Sequence, residues 1–266
     1  MDMVMLIGVG LLTGATTVLF GFGGGFVAVP VVVWVDAALG ADAMRVATAT
    51  SALVMVVNAG FATAVTPRRV LVALRGSGRL LILLAAGAWA GALATRVAPA
   101  GLARWAFVAY VALTIADVLL RPGFLRPRTR VTEVSGALRP LPALLGAPVG
   151  AVAAFLGVGG SVMTVPAMRR AGHTMPMATA LANPLTLAIA LPAAAVSLGG
   201  ATGPAVDAPS HLVGLIDLPA ASALLIGALP VIAVLRRRPP RIPDRAYAWS
   251  YIGLLAVVTG AMLVPV

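Results

Sequence analysis

The sequence predicts an all-α polytopic membrane protein made of two homologous repeats, each opening on a helix interrupted by glycine. Three observations carry this. Of 266 residues, 61% are hydrophobic and 10% charged, whereas a soluble domain has about 25% charged residues. Apolar runs near the ~20 residues that cross a bilayer follow one another along the chain. A Gly-rich break recurs 136 positions apart: Gly21-Phe22-Gly23-Gly24-Gly25 leading to Pro30, and Gly157-Val158-Gly159-Gly160-Ser161 leading to Pro166. The same offset carries Gly10 and Gly14 onto Gly146 and Gly150.

In the first repeat, 1–120, the runs cover 3–20 continuing through the break to 35, then 45–66, 79–98 and 102–120. In the second, 139–266, they cover 139–156 continuing to 169, then 175–198, 212–235 and 246–265. That makes about eight long spans plus two half-helices. The segment between the repeats, 121–138, is a basic linker too short to be a domain. All chemistry is then expected within the membrane or at its edges.

Several function classes fall away. With no cysteine, disulfides, thiolate metal sites and cysteine nucleophiles are excluded. His173 and His211 stand in loops and share no spacing with an acidic ligand, so no metal or cofactor is expected. The methionines, among them Met163, Met168, Met175 and Met177, are scattered through apolar sequence and read as core packing. The start Met1-Asp2-Met3 lacks a basic n-region, so no cleaved secretory signal is expected. The net charge of +11 comes from arginine alone. Such a balance suits a nucleic-acid binder, but these arginines lie between apolar runs with no soluble face. They suit loops resting against anionic headgroups, and no nucleic acid is expected.

Counting arginines selects a topology. If each broken segment crossed once, alternate loops would hold ten arginines and nine. If each makes a re-entrant excursion and returns, sixteen fall on one side, against Arg45, Arg96 and Arg104 on the other. The positive-inside rule prefers the second arrangement. Each half then makes an odd number of passes, so the repeats are expected to be inverted, a design that places a shared site near the midplane.

The breaks point to chemistry. A bilayer core has no water for free backbone groups, so non-helical backbone is tolerated only where it lines a cavity or is buried in protein. Glycine costs ~1 kcal/mol in a helix relative to alanine, which disfavours helix at Gly21, Gly23, Gly24 and Gly25 and at Gly157, Gly159 and Gly160. A helix restarting near Phe26 or Val162 would present N–H groups and the positive end of its dipole, an anion site without a charged side chain. Gly10/Gly14, Gly87/Gly91 and Gly146/Gly150 read instead as close helix packing. A dinucleotide fingerprint is excluded, since Gly21-x-Gly23-x-x-Phe26 lacks the last glycine and its flanks are lipid-like.

After each break a second element recurs at an offset of 131: Ala47-Thr48-Ala49-Thr50-Ser51-Ala52 matches Ala178-Thr179-Ala180-Leu181-Ala182-Asn183. Thr50, Ser51 and Asn183 are candidate anion donors, as is Asn58 in mid-span; capping or bonding back to the helix is the alternative. Asp117, four residues before Arg121, reads as an interfacial pair rather than a proton relay.

At these motifs the chain resembles the TauE/SafE family of membrane permeases, the sulfite exporters. The resemblance rests on Gly21 to Pro30, Ala49-Thr50-Ser51, Gly157 to Pro166, Gly87-Ala88-Trp89-Ala90-Gly91 and Gly227-Ala228, and runs over nearly the whole chain. It implies a transporter, not an enzyme, of a bacterial inner membrane, moving small sulfur-containing anions such as sulfite or organosulfonates. Ser161 departs from the glycine of the family pattern, and Leu181-Ala182-Asn183 stands where the first repeat has Thr50-Ser51-Ala52. The two half-sites are thus unequal.

The expectation is a secondary carrier working by alternating access. Its anion is expected among Gly21, Gly23, Gly24, Gly25, Phe26, Thr50, Ser51, Asn58, Gly157, Gly159, Gly160, Ser161 and Asn183. A passive anion channel is the alternative, separable by saturation and counterflow. An intramembrane hydrolase using Ser161 would need a histidine at matching depth, and neither His173 nor His211 lies inside a span. A homodimer is left open.

Overall fold

The computed structural model describes residues 3–121, 123–125, 142–199 and 212–264. Most of the 121–138 linker and His211 lie outside the described residues. In the first half, α1 (Met3–Phe20) ends at the glycine break and α2 (Gly25–Val35) follows it; then come α3 (Ala43–Ala64), the short α4 (Arg68–Leu71), α5 (Gly78–Val97) and α6 (Ala100–Leu120). The second half comprises α7 (Gly146–Leu156), α8 (Ser161–Arg170), α9 (Met175–Gly199), α10 (Leu218–Arg237) and α11 (Asp244–Leu263). Among the described residues seven helices, all except α2, α4, α7 and α8, are long and apolar enough to cross a membrane.

The span expected at 212–235 begins later than its apolar run. Leu212–Val213 pairs antiparallel with Ile216–Asp217, the turn being made by Gly214 at φ 62°. Asp217 then caps α10, its carboxylate accepting from the Ala220 N–H at 2.9 Å, with Pro219 in the first turn.

Each broken segment turns back on itself. α2 turns back and brings Val31 and Val35 against the cluster of Leu6, Ala220 and Ala223; after the second break Gly160 lies beside Val149 of α7, and α8 packs on α9.

The halves interlock. α1 packs along α10 in the same direction: Leu6 meets Ala220 and Ala223, Gly14 meets Ala228, and Val18 meets Ile232. α7 packs along α5 in the same way, with Gly146 on Leu80 and Leu84 and Gly91 on Ala151. Backbone of the facing helix occupies the place a Cβ would take at Gly10, Gly14, Gly87, Gly91, Gly150 and Gly227. These glycines perform the close packing expected of them. α3 runs with α1 and α10, since Thr50 lies at Asp217 and Ala62 at Ile232. α9 finishes beside the end of α5, where Arg96 donates to Val196 O. α6 and α11 are antiparallel, Arg104 donating to Met262 O at 3.0 Å and Val264 O at 2.8 Å. One core cluster draws residues from both halves.

Charged residues lock one end. Arg169, closing α8, is fully buried and donates to both oxygens of Asp244 (3.1 and 2.6 Å), to Phe124 O (2.9 Å) and to His173 O (3.3 Å). Asp117 accepts from Arg121 at 3.2 Å and Arg170 at 2.5 Å, the interfacial pairing expected of it. Burial pushes the His173 imidazole below its ordinary 6.5. Such a group contributes fully above the unfolded value and loses its contribution as pH falls through it toward the folded one. Thermal midpoints are therefore expected to fall as pH drops from about 7 toward about 5, less so in His173→Gln, as pH-resolved melting would read.

Candidate functional site

The two breaks meet at the centre of the molecule. Gly21, Gly23 and Gly24 have φ of 74°, 64° and 84°, and Gly157 and Gly159 of 70° and 69°. A side chain resists that left-handed conformation; glycine adopts it freely. The ladder of α2 starts with the Val27 and Ala28 N–H groups donating to Gly24 O (3.2 and 3.0 Å). That of α8 starts with Met163 and Thr164 donating to Gly160 O (3.2 and 2.9 Å). The N–H groups of Gly23 to Phe26 and Gly159 to Val162 thus stand ahead of the ladders, as at any helix start.

These starts adjoin. A Cβ on Gly25 would lie 3.0 Å from Gly157 O, and one on Gly159 would lie 3.4 Å from Phe22 O. Gly23 and Gly159 both abut Thr186 Cγ2 and Met55. Among the described residues, none of the nearest side chains that would meet a Cβ at these break glycines is acidic. Two helix N-termini, each worth about +0.5 charge, therefore adjoin here.

Two long helices supply the side chains around this point. On α3, Ser51, Met55 and Asn58 follow one another at helical spacing; on α9, Thr179, Asn183 and Thr186 do the same. Ser51 Oγ reaches Thr48 O (2.8 Å) and Gly157 O (3.0 Å), and Thr186 Oγ1 donates to Gly21 O (3.3 Å), so each hydroxyl reaches the tip of one hairpin. Asn58 lies against Gly24, and both its Oδ1 and its Nδ2 are buried without a protein partner. Ser161 Oγ is buried and unpartnered too. Asn183 donates to Thr179 O at 3.2 Å and leaves its Oδ1 unpaired. An unpaired buried polar group costs about 1–3 kcal/mol, and here several lie within one region.

Not every sequence candidate gathers there. Thr50 accepts from the Asp217 N–H at 2.9 Å and so ties α3 to the start of α10. Conversely, Met55 and Thr186 sit between the breaks and escaped sequence reasoning. Both were within reach of it: the offset of 131 carries Met55 onto Thr186, and Thr186 lies one turn beyond Asn183. The same offset carries Asn58 onto Ile189, whose Cδ1 lies against Gly160. The first break is backed by an amide and the second by an aliphatic chain.

The walls are unequal as well. Phe22 packs on Phe26 and Tyr251 with ring centroids 4.8 and 5.3 Å away, and Tyr251 donates to Val162 O at 3.1 Å. The second break has Val158 and Val162 at the places of Phe22 and Phe26. Ser161 opens α8 and His173 follows its last turn, so a helix of about 15 Å separates them. Ser161 has no base from His173.

No curated protein and no solved structure matches the chain. The family model for the sulfite exporter TauE/SafE does, over residues 6–262, which include both breaks and the two helices that back them. Essentially the whole chain is covered, and the protein belongs to the TauE/SafE family, whose members are membrane transporters and not enzymes.

Proposed function

We propose that this protein is a secondary carrier that moves a small sulfur-containing anion, such as sulfite or an organosulfonate, by alternating access. The anion is held where α2 and α8 begin. The observation that carries this reading is the convergence of two helix N-termini beside Asn58 and Ser161, whose polar atoms are buried without protein partners. Free N–H groups at a helix start suit an oxyanion with several acceptor oxygens. Inverted repeats are supported by the helix directions: α10 runs with α3, whereas its counterpart α5 runs with α9 and α7. Interlocked pairs of that kind suit rocking about a central site. The arginine-rich ends are assigned to the cytoplasm of a bacterial cell. A GFP fusion in the 67–79 loop is expected to fluoresce; an active alkaline phosphatase fusion there would reverse the orientation.

Counterflow in proteoliposomes tests the function. Vesicles loaded with unlabelled sulfite should take up labelled sulfite saturably, with taurine and sulfoacetate as competitors. Absence of exchange with every sulfur anion, from folded protein, would overturn the substrate class. Asn58→Leu places an aliphatic chain where the second repeat has Ile189. It is expected to abolish exchange while stabilising the fold by about 1 kcal/mol, since it removes two unpaired buried atoms. Wild-type exchange in Asn58→Leu would move the site elsewhere.

A further inference from the structure

We propose that the cleft between α5, α6, α7 and α8 is a binding site for one anionic phospholipid. The cavity measures about 430 Å³, within the ~300–1,000 Å³ of ordinary ligand sites. Leu113, Leu145 and Met163 line it and are 70%, 50% and 42% exposed. In a chain spanning a bilayer such residues face lipid, so the cleft opens sideways towards acyl chains rather than towards water.

The cleft has polar groups that a simple packing gap does not need. At its mouth, where α6 and α8 end, Arg121 and Arg170 flank Asp117. Two guanidinium groups against one carboxylate leave an excess positive charge, and Arg170 Nε is buried without a partner. Further in, Thr164 Oγ1 and the Tyr110 hydroxyl are buried and unpartnered, Thr164 being 5% exposed. Thr164 lies about 9 Å along α8 from Arg170, near the depth where headgroups give way to the ester oxygens.

The other repeat supplies the control. Between α1, α2 and α11 lies a cavity of about 210 Å³, lined by Leu12, Thr16, Val27, Pro30 and Trp34 among others. The 136 offset carries Val27, Pro30 and Trp34 onto Met163, Pro166 and Arg170. The fold therefore leaves a gap beside each short half-helix. Of these two gaps, only the one beside α8 has a charged mouth and unpaired hydroxyls among the described residues. A phospholipid answers each feature: its phosphate meets the arginines, its ester oxygens meet Thr164, and a chain runs along Leu80, Leu84 and Val149.

Thermal unfolding of the purified full chain in neutral detergent tests this. Added phosphatidylglycerol should raise the midpoint, while phosphatidylcholine of the same chains and inorganic phosphate should not. Arg121→Gln and Arg170→Gln should each weaken the apparent affinity roughly fivefold. Leu113→Trp should block the lipid without touching the ion pairs, and Val257→Trp, in the apolar cleft, should leave it unchanged. Equal responses to the two phospholipids, full protection by inorganic phosphate, or a phosphatidylglycerol response that survives Leu113→Trp would each overturn the assignment.

Discussion

Gly24→Ala is expected to lower saturable sulfite exchange at least tenfold, whereas Gly160→Ala leaves it within about threefold of the wild type. The two glycines correspond in the repeats, yet their backbones differ. Gly24 has φ 84°, and a Cβ there would lie 2.7 Å from Asn58 Nδ2 and 3.2 Å from Thr13 Cβ. Alanine in that conformation costs about 1–2 kcal/mol, and relief comes only by displacing Asn58 or opening the turn. A barrier change near 1.4 kcal/mol already amounts to tenfold in rate. Gly160 has φ −80°, an ordinary helical value. Its added methyl would meet Ile189 Cδ1 at 2.5 Å, the far end of a flexible chain that can rotate away. The severe substitution in the second break is Gly157→Ala, at φ 70° with Ser51 Oγ 2.8 Å from the new Cβ. Counterflow rates, normalised to folded protein, measure all three. Equal loss in Gly24→Ala and Gly160→Ala would mean that the glycines act through flexibility alone.

Asp244→Asn is expected to destabilise the fold by roughly 3 kcal/mol, the low end for breaking a buried ion pair. The Arg169 side chain is 0% exposed and that of Asp244 40%. Removing the carboxylate leaves a guanidinium charged and enclosed, with two carbonyls and the Phe124 ring, 5.9 Å away, as its remaining partners. The same carboxylate also accepts from Met175 N–H at 3.4 Å, so the substitution loosens the starts of α9 and α11 together. Arg121→Gln gives the comparison: its pair with Asp117 is 73% exposed on the arginine side, and such a pair is worth about 0–1 kcal/mol. Denaturant unfolding in detergent separates the two. An Asp244→Asn midpoint indistinguishable from that of Arg121→Gln would remove Arg169 from the lock.

Much of this architecture is legible in the residues. A lipid-solvated fold follows from composition and helix interruption from clustered glycine, each a property of local sequence. Gly10, Gly14, Gly87 and Gly91 are legible as packing residues because Gly-x-x-x-Gly marks one face of one helix. The partner of Thr50 is not legible, because Asp217 stands 167 residues away and nothing local to either residue encodes the pairing. Arg169 looks like any loop arginine until Asp244, Phe124 and His173 close around it. The apolar run from 212 conceals a hairpin, since Leu, Val and Ile serve a strand as well as a helix and only Gly214 signals the turn.

The sequence by itself determined that this chain lives in a bilayer and that a Gly-rich interruption recurs in each half of it. Those outcomes depend on solvation and on backbone propensity, which act residue by residue. Tertiary structure alone decided that the two interruptions adjoin, that Ser51 and Thr186 reach carbonyls at their tips, and that Asn58 and Ser161 stay unpaired beside them. Pairing depends on which atoms are brought within hydrogen-bond distance, and in an interlocked fold those atoms come from opposite halves of the chain.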